Sequence, residues 1–420
     1  MRVPVVCAAL LLAGMMGLAQ NWPQWRGTGG DGIAAPGEYP VAFSATNGVL
    51  WRVPLPGKGA STPAVWDERI FLTSAVGEGS NGLDGALCLD WKTGRQLWQV
   101  TFGTQRPGKH KRGTGSNPSP VTDGQRVFVY FKSGTLAALD MDGKILWQTN
   151  LQERYAKDAL WWDLGTSPVL VDGRLVVAVM QESDSYMVAL NPATGEEIWK
   201  VDRNYSCKEE GAQSYSTPLV VRREGRTELV LWGAEHLTGH DAATGALLWQ
   251  CGGFNPDNKP YWRTISSPAI ADGIAVVPYG RDQFVAGVKL GGSGDITAAA
   301  RVWEKRNLGT DSASPVIFGG KVCLMNFKGK TWCLDLQTGD ELWVSSLDGK
   351  GMVYSSPVLA GDTLYVCREE GDVYVSRITD AGLEPLNRAK FDDAFIASPV
   401  LLRGRLLLRG EKNLWCIGTN

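Results

Sequence analysis

Apolar residues along this chain come in short runs of four to six, and each run is cut off by a turn containing Gly or Asp. Residues 120–149 show the unit. Pro120-Val121-Thr122 predicts a short strand, and Asp123-Gly124 a turn. Residues 126–131 (RVFVYF) predict a second strand, and Ser133-Gly134 turns the chain again. Residues 135–140 predict a third strand, Asp142-Gly143 another turn, and residues 145–149 a fourth strand. Short runs of β-branched and aromatic residues joined by such turns specify an antiparallel meander. No stretch beyond the N-terminus sustains a 3.6-residue period, which argues against a helical repeat.

The unit recurs. A small or Ser/Thr-Pro step opens an apolar run at Pro63, Pro120, Pro168, Pro218, Pro268, Pro315, Pro357 and Pro399, at spacings of 42 to 57 residues. A second mark follows most of these steps. Leu89-Asp90…Thr93-Gly94…Leu97-Trp98 returns around Thr194-Gly195…Trp199, Thr244-Gly245…Trp249 and Thr338-Gly339…Trp343. Leu139-Asp140…Gly143…Trp147 is one residue shorter. Self-similarity at this period signals a solenoid, propeller or array. Eight four-stranded units fit an all-β, eight-bladed propeller, whose radial repetition leaves few exposed edges.

The ends of the repeat suggest how the ring closes. The eighth copy has only three strand-like runs, at 399–400, 405–408 and 414–417. An orphan fourth strand, residues 47–53, precedes the first copy and carries Trp51. We therefore expect the N-terminal strand to complete the last blade. Seven fourth strands then carry the Trp (51, 98, 147, 199, 249, 303, 343), and the seventh blade, near 383–386, lacks it. The expected division is a signal segment at 1–19, an extension at 20–46 and the propeller at 47–420.

Composition adds compartment and partner class. The net charge of −2 gives no nucleic-acid footprint, and 51 glycines suit a turn-rich β chain. Arg2, an apolar core at 3–18 and Gly17-Leu18-Ala19 read as a secretory signal, with no later apolar run of that length. The expectation is a periplasmic or secreted monomer with no transmembrane segment in the mature chain. Seven cysteines remain after cleavage, so an oxidising compartment leaves at least one without an intramolecular partner. Cys88, Cys333 and Cys416 share one slot with Ala138 and Ala189, and read first as small buried apolar residues. Cys323 and Cys333 flank one hairpin and would pair if the Gly329 turn carries a bulge; sequence leaves that register open.

The Ser-Pro strand followed by Leu-Asp-x-x-Thr-Gly-x-x-x-Trp resembles the pyrroloquinoline-quinone-type, quinoprotein-like propeller repeat, over about residues 47–420. Asn21-Trp22-Pro23-Gln24-Trp25-Arg26-Gly27…Asp31-Gly32 is similar to the leader of exported bacterial propellers of this group. The resemblance implies either of two roles. One is that of quinoprotein dehydrogenases, which use pyrroloquinoline quinone with calcium. The other is that of the lipoprotein scaffold of the outer-membrane β-barrel assembly machine. The chain lacks the adjacent Cys-Cys pair of alcohol-oxidising members, and no calcium-ligand and base constellation is placed on it. A lipid-anchor Cys is also missing at the cleavage point. The resemblance further implies that the repeated Trp and Thr-Gly dock one blade on the next.

Propeller connections alternate between faces. Here the Asp-Gly and Thr-Gly turns are short, whereas loops 76–85, 103–115, 152–163, 204–213 and 252–263 share the other face. Long loops on a rigid scaffold carry binding chemistry. Candidate ligand-binding residues on that face are Arg106, His110, Trp162, Asp163, Arg203, Tyr215, Trp262, Arg263, Arg281, Asp282 and Tyr354. Trp161, Tyr261, Phe395, Lys109, Lys111, Arg112, Glu182, Asp184, Asp392 and Asp393 lie beside them. Aromatic rings mixed with arginines and carboxylates suit a sugar, a quinone-like ring or a peptide strand. Catalytic signals are thin. His110, His236 and His240 form no metal-type cluster, and neither a nucleophile elbow nor a P-loop occurs. Residues 291–295 (GGSGD) read as an irregular loop. The expectation is a non-catalytic propeller, without cofactor, that binds a protein partner or a small ligand; the alternative is a quinone-dependent oxidoreductase.

Overall fold

The computed structural model describes residues 21–77 and 81–419. The expected signal segment, 1–19, lies outside these residues. Among the described residues the strands form eight sheets, seven of four strands and one of five, each an antiparallel meander at its core. The second blade follows the sequence pattern closely: Val121–Thr122, Arg126–Tyr130, Thr135–Asp140 and Ile145–Asn150 pair in order. The two central strands of each blade are buried on both faces. Arg174–Val179 and Tyr186–Leu190 are sealed almost completely, because a neighbouring blade covers each side. The ring closes as expected. Val49–Pro54 pairs antiparallel with Asn413–Ile417, placing Trp51 opposite Cys416.

The repeated Trp and Thr-Gly marks meet across blade boundaries. A Cβ added to Gly94, Gly195, Gly245 or Gly339 would lie 2.6–2.8 Å from the ring of Trp51, Trp147, Trp199 or Trp303 in the preceding blade. Only glycine leaves room for the indole there, at a backbone with positive φ. The indole N–H then donates to the next blade: Trp98 to Met141 O at 2.9 Å, Trp147 to Pro192 O at 2.9 Å and Trp303 to Leu336 O at 2.9 Å. Trp249 departs from this scheme. The fifth blade has an insertion where the Thr-Gly turn would be, so Trp249 donates within its own blade to Glu228 Oε2 at 2.9 Å. The insertion is more ordered than the irregular loop expected from GGSGD. Gly294–Asp295 adds a fifth strand, parallel to Leu247–Cys251, and Thr297–Ala300 forms a helical turn.

The Ser/Thr-Pro steps build the wall of the central channel. Seven of the eight hydroxyls before the prolines accept the backbone N–H of the counterpart one blade earlier. Ser119 accepts from Thr62, Ser167 from Ser119, Thr217 from Ser167 and Ser267 from Thr217. Ser314, Ser356 and Ser398 continue the belt, and all seven bonds are 2.9–3.0 Å. At the join between the last blade and the first, buried Arg409 takes over by donating to Ser61 O at 3.0 Å.

The N-terminal segment before Val49 crosses the channel on the Asp-Gly-turn face. Trp22 bridges to Val65 in the first blade, and Pro23 O accepts from Thr122 N in the second. Arg26, almost fully buried, reaches across to the sixth blade and donates to Ser314 O at 2.9 Å and Pro315 O at 2.5 Å. Ile33 bridges to Leu359 in the seventh blade. The channel therefore has a floor.

Candidate functional site

Above this floor lies a blind cavity of about 540 Å³ that opens on the loop-rich face. Trp25 forms its base, the eight Ser/Thr residues of the Ser/Thr-Pro steps form its wall, and loops of several blades form its rim. None of the eight wall hydroxyls donates to a protein acceptor among the described residues, since each is used only as an acceptor or not at all. The wall thus presents a belt of O–H donors to whatever fills the cavity.

Of the candidates named from sequence, His110, Trp162, Asp163, Tyr215, Arg263, Arg281 and Tyr354 line this cavity. They come from different blades. The His110 ring stands edge-on between Trp162 (6.1 Å) and Tyr354 (5.9 Å). Arg263 lies over the Trp162 ring at 5.6 Å and pairs with Glu210 at 2.8 Å. The Tyr215 hydroxyl donates to Gln213 Oε1 and accepts from Trp162 N, and burial pushes its phenol above the ordinary range. Arg281 is exposed at the rim on a backbone with φ of 55°.

Four candidates lie elsewhere. Arg203 is buried inside the ring, donating to Thr238 Oγ1 at 2.9 Å, Gly233 O at 3.0 Å and His236 O at 2.7 Å. Desolvation lowers its guanidinium to about 10 without an acid partner, so it serves packing. Trp262 is also in the core, against Gly280 and edge-on to Tyr279 at 5.5 Å. Its loop turns the ring inward, away from the mouth. Arg106 points sideways to Asp158 at 3.1 Å. Asp282 sits behind the rim, and burial, reinforced by Asp311, raises its carboxyl to about 7. Trp161 and Tyr261 project to solvent instead of into the mouth.

Asp163 is a clamp for the basic loop. Its buried carboxylate accepts from Lys109 N (2.8 Å) and His110 N (3.1 Å) and pairs with the buried Lys132 ammonium. The far end of the loop is fixed by Arg112, which reaches Glu369 at 3.1 Å and Glu411 at 3.5 Å. Residues 109–112 are thereby tied to the second, third, seventh and eighth blades. The sequence reading missed Trp25, Asp311, Phe327 and Met352, which also line the cavity. Phe327 carried a signal, being an aromatic at the tip of a two-strand turn.

The cavity's donor set does not fit a calcium-bound quinone. Asp163 is already engaged by an ammonium and two amides. Burial raises the Asp311 carboxyl, which faces Arg263 and Arg281. No group of three or more His, Cys, Asp or Glu among the described residues is arranged to hold a metal.

Comparison with known proteins agrees with this architecture. A family model described as "Outer membrane protein assembly factor BamB" matches residues 83–250 and 209–380. The chain belongs to this family. It is 24% identical over 357 residues to the assembly factor BamB of Burkholderia pseudomallei, covering 76% of this chain and 84% of that one. The crystal structure of BamB from Moraxella catarrhalis superposes with a TM-score of 0.61 at 14% identity, over 88% of this chain and 99% of that one. The quinohemoprotein alcohol dehydrogenase of Comamonas testosteroni gives 0.69 at 13% identity, over 95% and 80%. At such identity the two solved structures share the fold with this chain.

Proposed function

We propose that this chain is an exported, non-catalytic scaffold that binds an extended segment of a partner protein at the mouth of its blind central cavity. One observation carries the reading: a floored channel whose wall offers unmatched O–H donors below a rim of Trp162, Tyr354, Arg263 and Arg281. A peptide in extended form supplies carbonyl acceptors for the donors and side chains for the aromatic faces. Membership of a family described as an outer membrane assembly factor supports a scaffold role. No helix among the described residues is long and apolar enough to cross a membrane.

The test is site-specific photo-crosslinking in the native host, with the probe at Tyr354, Trp161 or Thr338. Adducts from 354 that weaken on Arg263→Ala support the mouth. Adducts from 338 alone would move the site to the Thr-Gly face and overturn the assignment. Titration with pyrroloquinoline quinone, with and without calcium, is expected to leave the quinone absorbance unchanged. A calcium-dependent shift would favour an oxidoreductase.

A further inference from the structure

The sixth blade places two cysteines opposite one another. Lys321–Met325 and Lys330–Asp335 form an antiparallel pair in which Cys323 faces Cys333. The bond pattern fixes which kind of pair this is. At the hairpin end, Asn326 N donates to Lys330 O at 2.9 Å; at the other end, Leu336 N donates to Gly320 O at 2.9 Å. Both are hydrogen-bonded positions. Alternation inward from either end makes Cys323 and Cys333 a non-hydrogen-bonded pair, whose Cα atoms lie about 4.5 Å apart in such ladders. A disulfide accepts Cα separations of about 4.4–6.8 Å. Both side chains enter the same core cluster, so they project from the same face. The turn that sets this register is bulged at Gly329, with φ of 89° and its N–H donating to Asn326 O at 2.9 Å.

We propose that Cys323 and Cys333 form a cross-strand disulfide at the root of this hairpin. The tip of the same hairpin carries Phe327 to the cavity wall, and Phe327 O accepts from Val353 N at 2.8 Å. The bridge would pin the hairpin that presents Phe327. Both thiols are buried, so oxidation belongs to folding, before the blade is covered. With glutathione disulfide as oxidant, the thiolate of one of the two cysteines attacks one sulfur and releases a glutathione thiolate. The thiolate of the other then attacks the mixed disulfide and releases the second glutathione thiolate. Two protein thiols are oxidised, and two glutathione thiols take up the electrons and protons.

The geometry stands apart from the proposed function, but formation in the cell rests on export. The experiment is refolding in a reduced/oxidised glutathione buffer, acid quench, alkylation in denaturant and peptide mass spectrometry. The expected result is a peptide bridged between 323 and 333, and a thiol count of the denatured protein that is two below that of the reduced protein. Alkylation of both residues, or bridging of either to a different cysteine, would overturn the proposal. Cys333→Ala and Cys323→Val supply controls that should fold, because Ala138 and Ala189, and Val176 and Val230, hold these slots in other blades. Each should abolish the two-thiol loss; a variant that retains it counts against the pair. Protein from the host, quenched by alkylation, separates the two readings: a bridge formed in vitro but reduced thiols in the host would sustain the site and argue against export.

Discussion

Single buried charges shape this molecule more than its net charge does. Asp163 and Lys132 are both nearly inaccessible and paired with each other. Removing one partner of such a pair leaves an uncompensated charge and costs about 3–5 kcal/mol. Asp163→Ala should lower the unfolding free energy measured in urea by that order, and adding Lys132→Met should recover part of the loss. Asp84 is a different case. Its side chain is buried, with one oxygen accepting from Ser133 Oγ at 2.5 Å and the other unpartnered. Burial raises its carboxyl from 3.8 to about 7. Between these values the folded state holds a proton that the unfolded state has lost, so stability declines as pH rises through that window. Asp84→Asn should therefore stabilise the protein by about 1–3 kcal/mol at pH 8 and change little at pH 4. Melting curves at the two pH values check the sign; an equal effect at both would refute it.

At the scale of strands and turns, most of the architecture was legible because one residue pattern does one job eight times. The Ser/Thr before each Pro marks the start of an inner strand, and its further role in the hydroxyl belt needs the ring to be visible. The Trp and Thr-Gly marks announce blade docking, since only glycine admits the indole. Side-chain direction in the long loops was not legible. Trp162 and Trp262 precede inner strands in the same way, yet one lines the mouth and the other fills the core beneath Gly280. Arg203 turns inward for the same reason: the loop's sequence gives position but not aim. Trp262 consequently makes a poor probe of binding, as its loss would damage the core. The closing strand is a better test of element-level reasoning. Trp51 packs on Gly94 and donates to Trp91 O at 3.2 Å. Trp51→Ala should cost about 3–5 kcal/mol, as for other buried Trp truncations. Urea unfolding measures it, and a loss below about 1 kcal/mol would mean that the closing strand contributes little to the ring.

The whole molecule is a ring with a plug, and the plug was the least legible part. Residues 21–46 have little regular pattern, and nothing in the sequence says that they cross beneath the channel. Their hold is distributed and partly apolar, since Trp22, Ala34 and Phe43 are buried in a core cluster shared with the first, seventh and eighth blades. Asn387 donates to Val41 O at 2.8 Å and Phe43 O at 2.9 Å, and the Tyr365 hydroxyl donates to Pro40 O at 3.0 Å. Arg26 is the central fastening. Burial lowers its guanidinium to about 10, which keeps it charged at neutral pH, and its donors satisfy carbonyls of Ser314, Pro315 and Asp31. Arg26→Ala would orphan these acceptors next to Trp25, each at a cost of about 1–3 kcal/mol where water cannot replace the bond. The eight blades keep their own hydrogen bonds and the closing strand keeps its partner, so the ring should persist while the floor loosens. Two readouts separate these effects. Backbone hydrogen exchange should rise at residues 22–34 and at Ser314–Val316, and stay unchanged in the central strands of the second and third blades. Global unfolding with no selective exchange would show that floor and ring form one cooperative unit, and would refute the division between them.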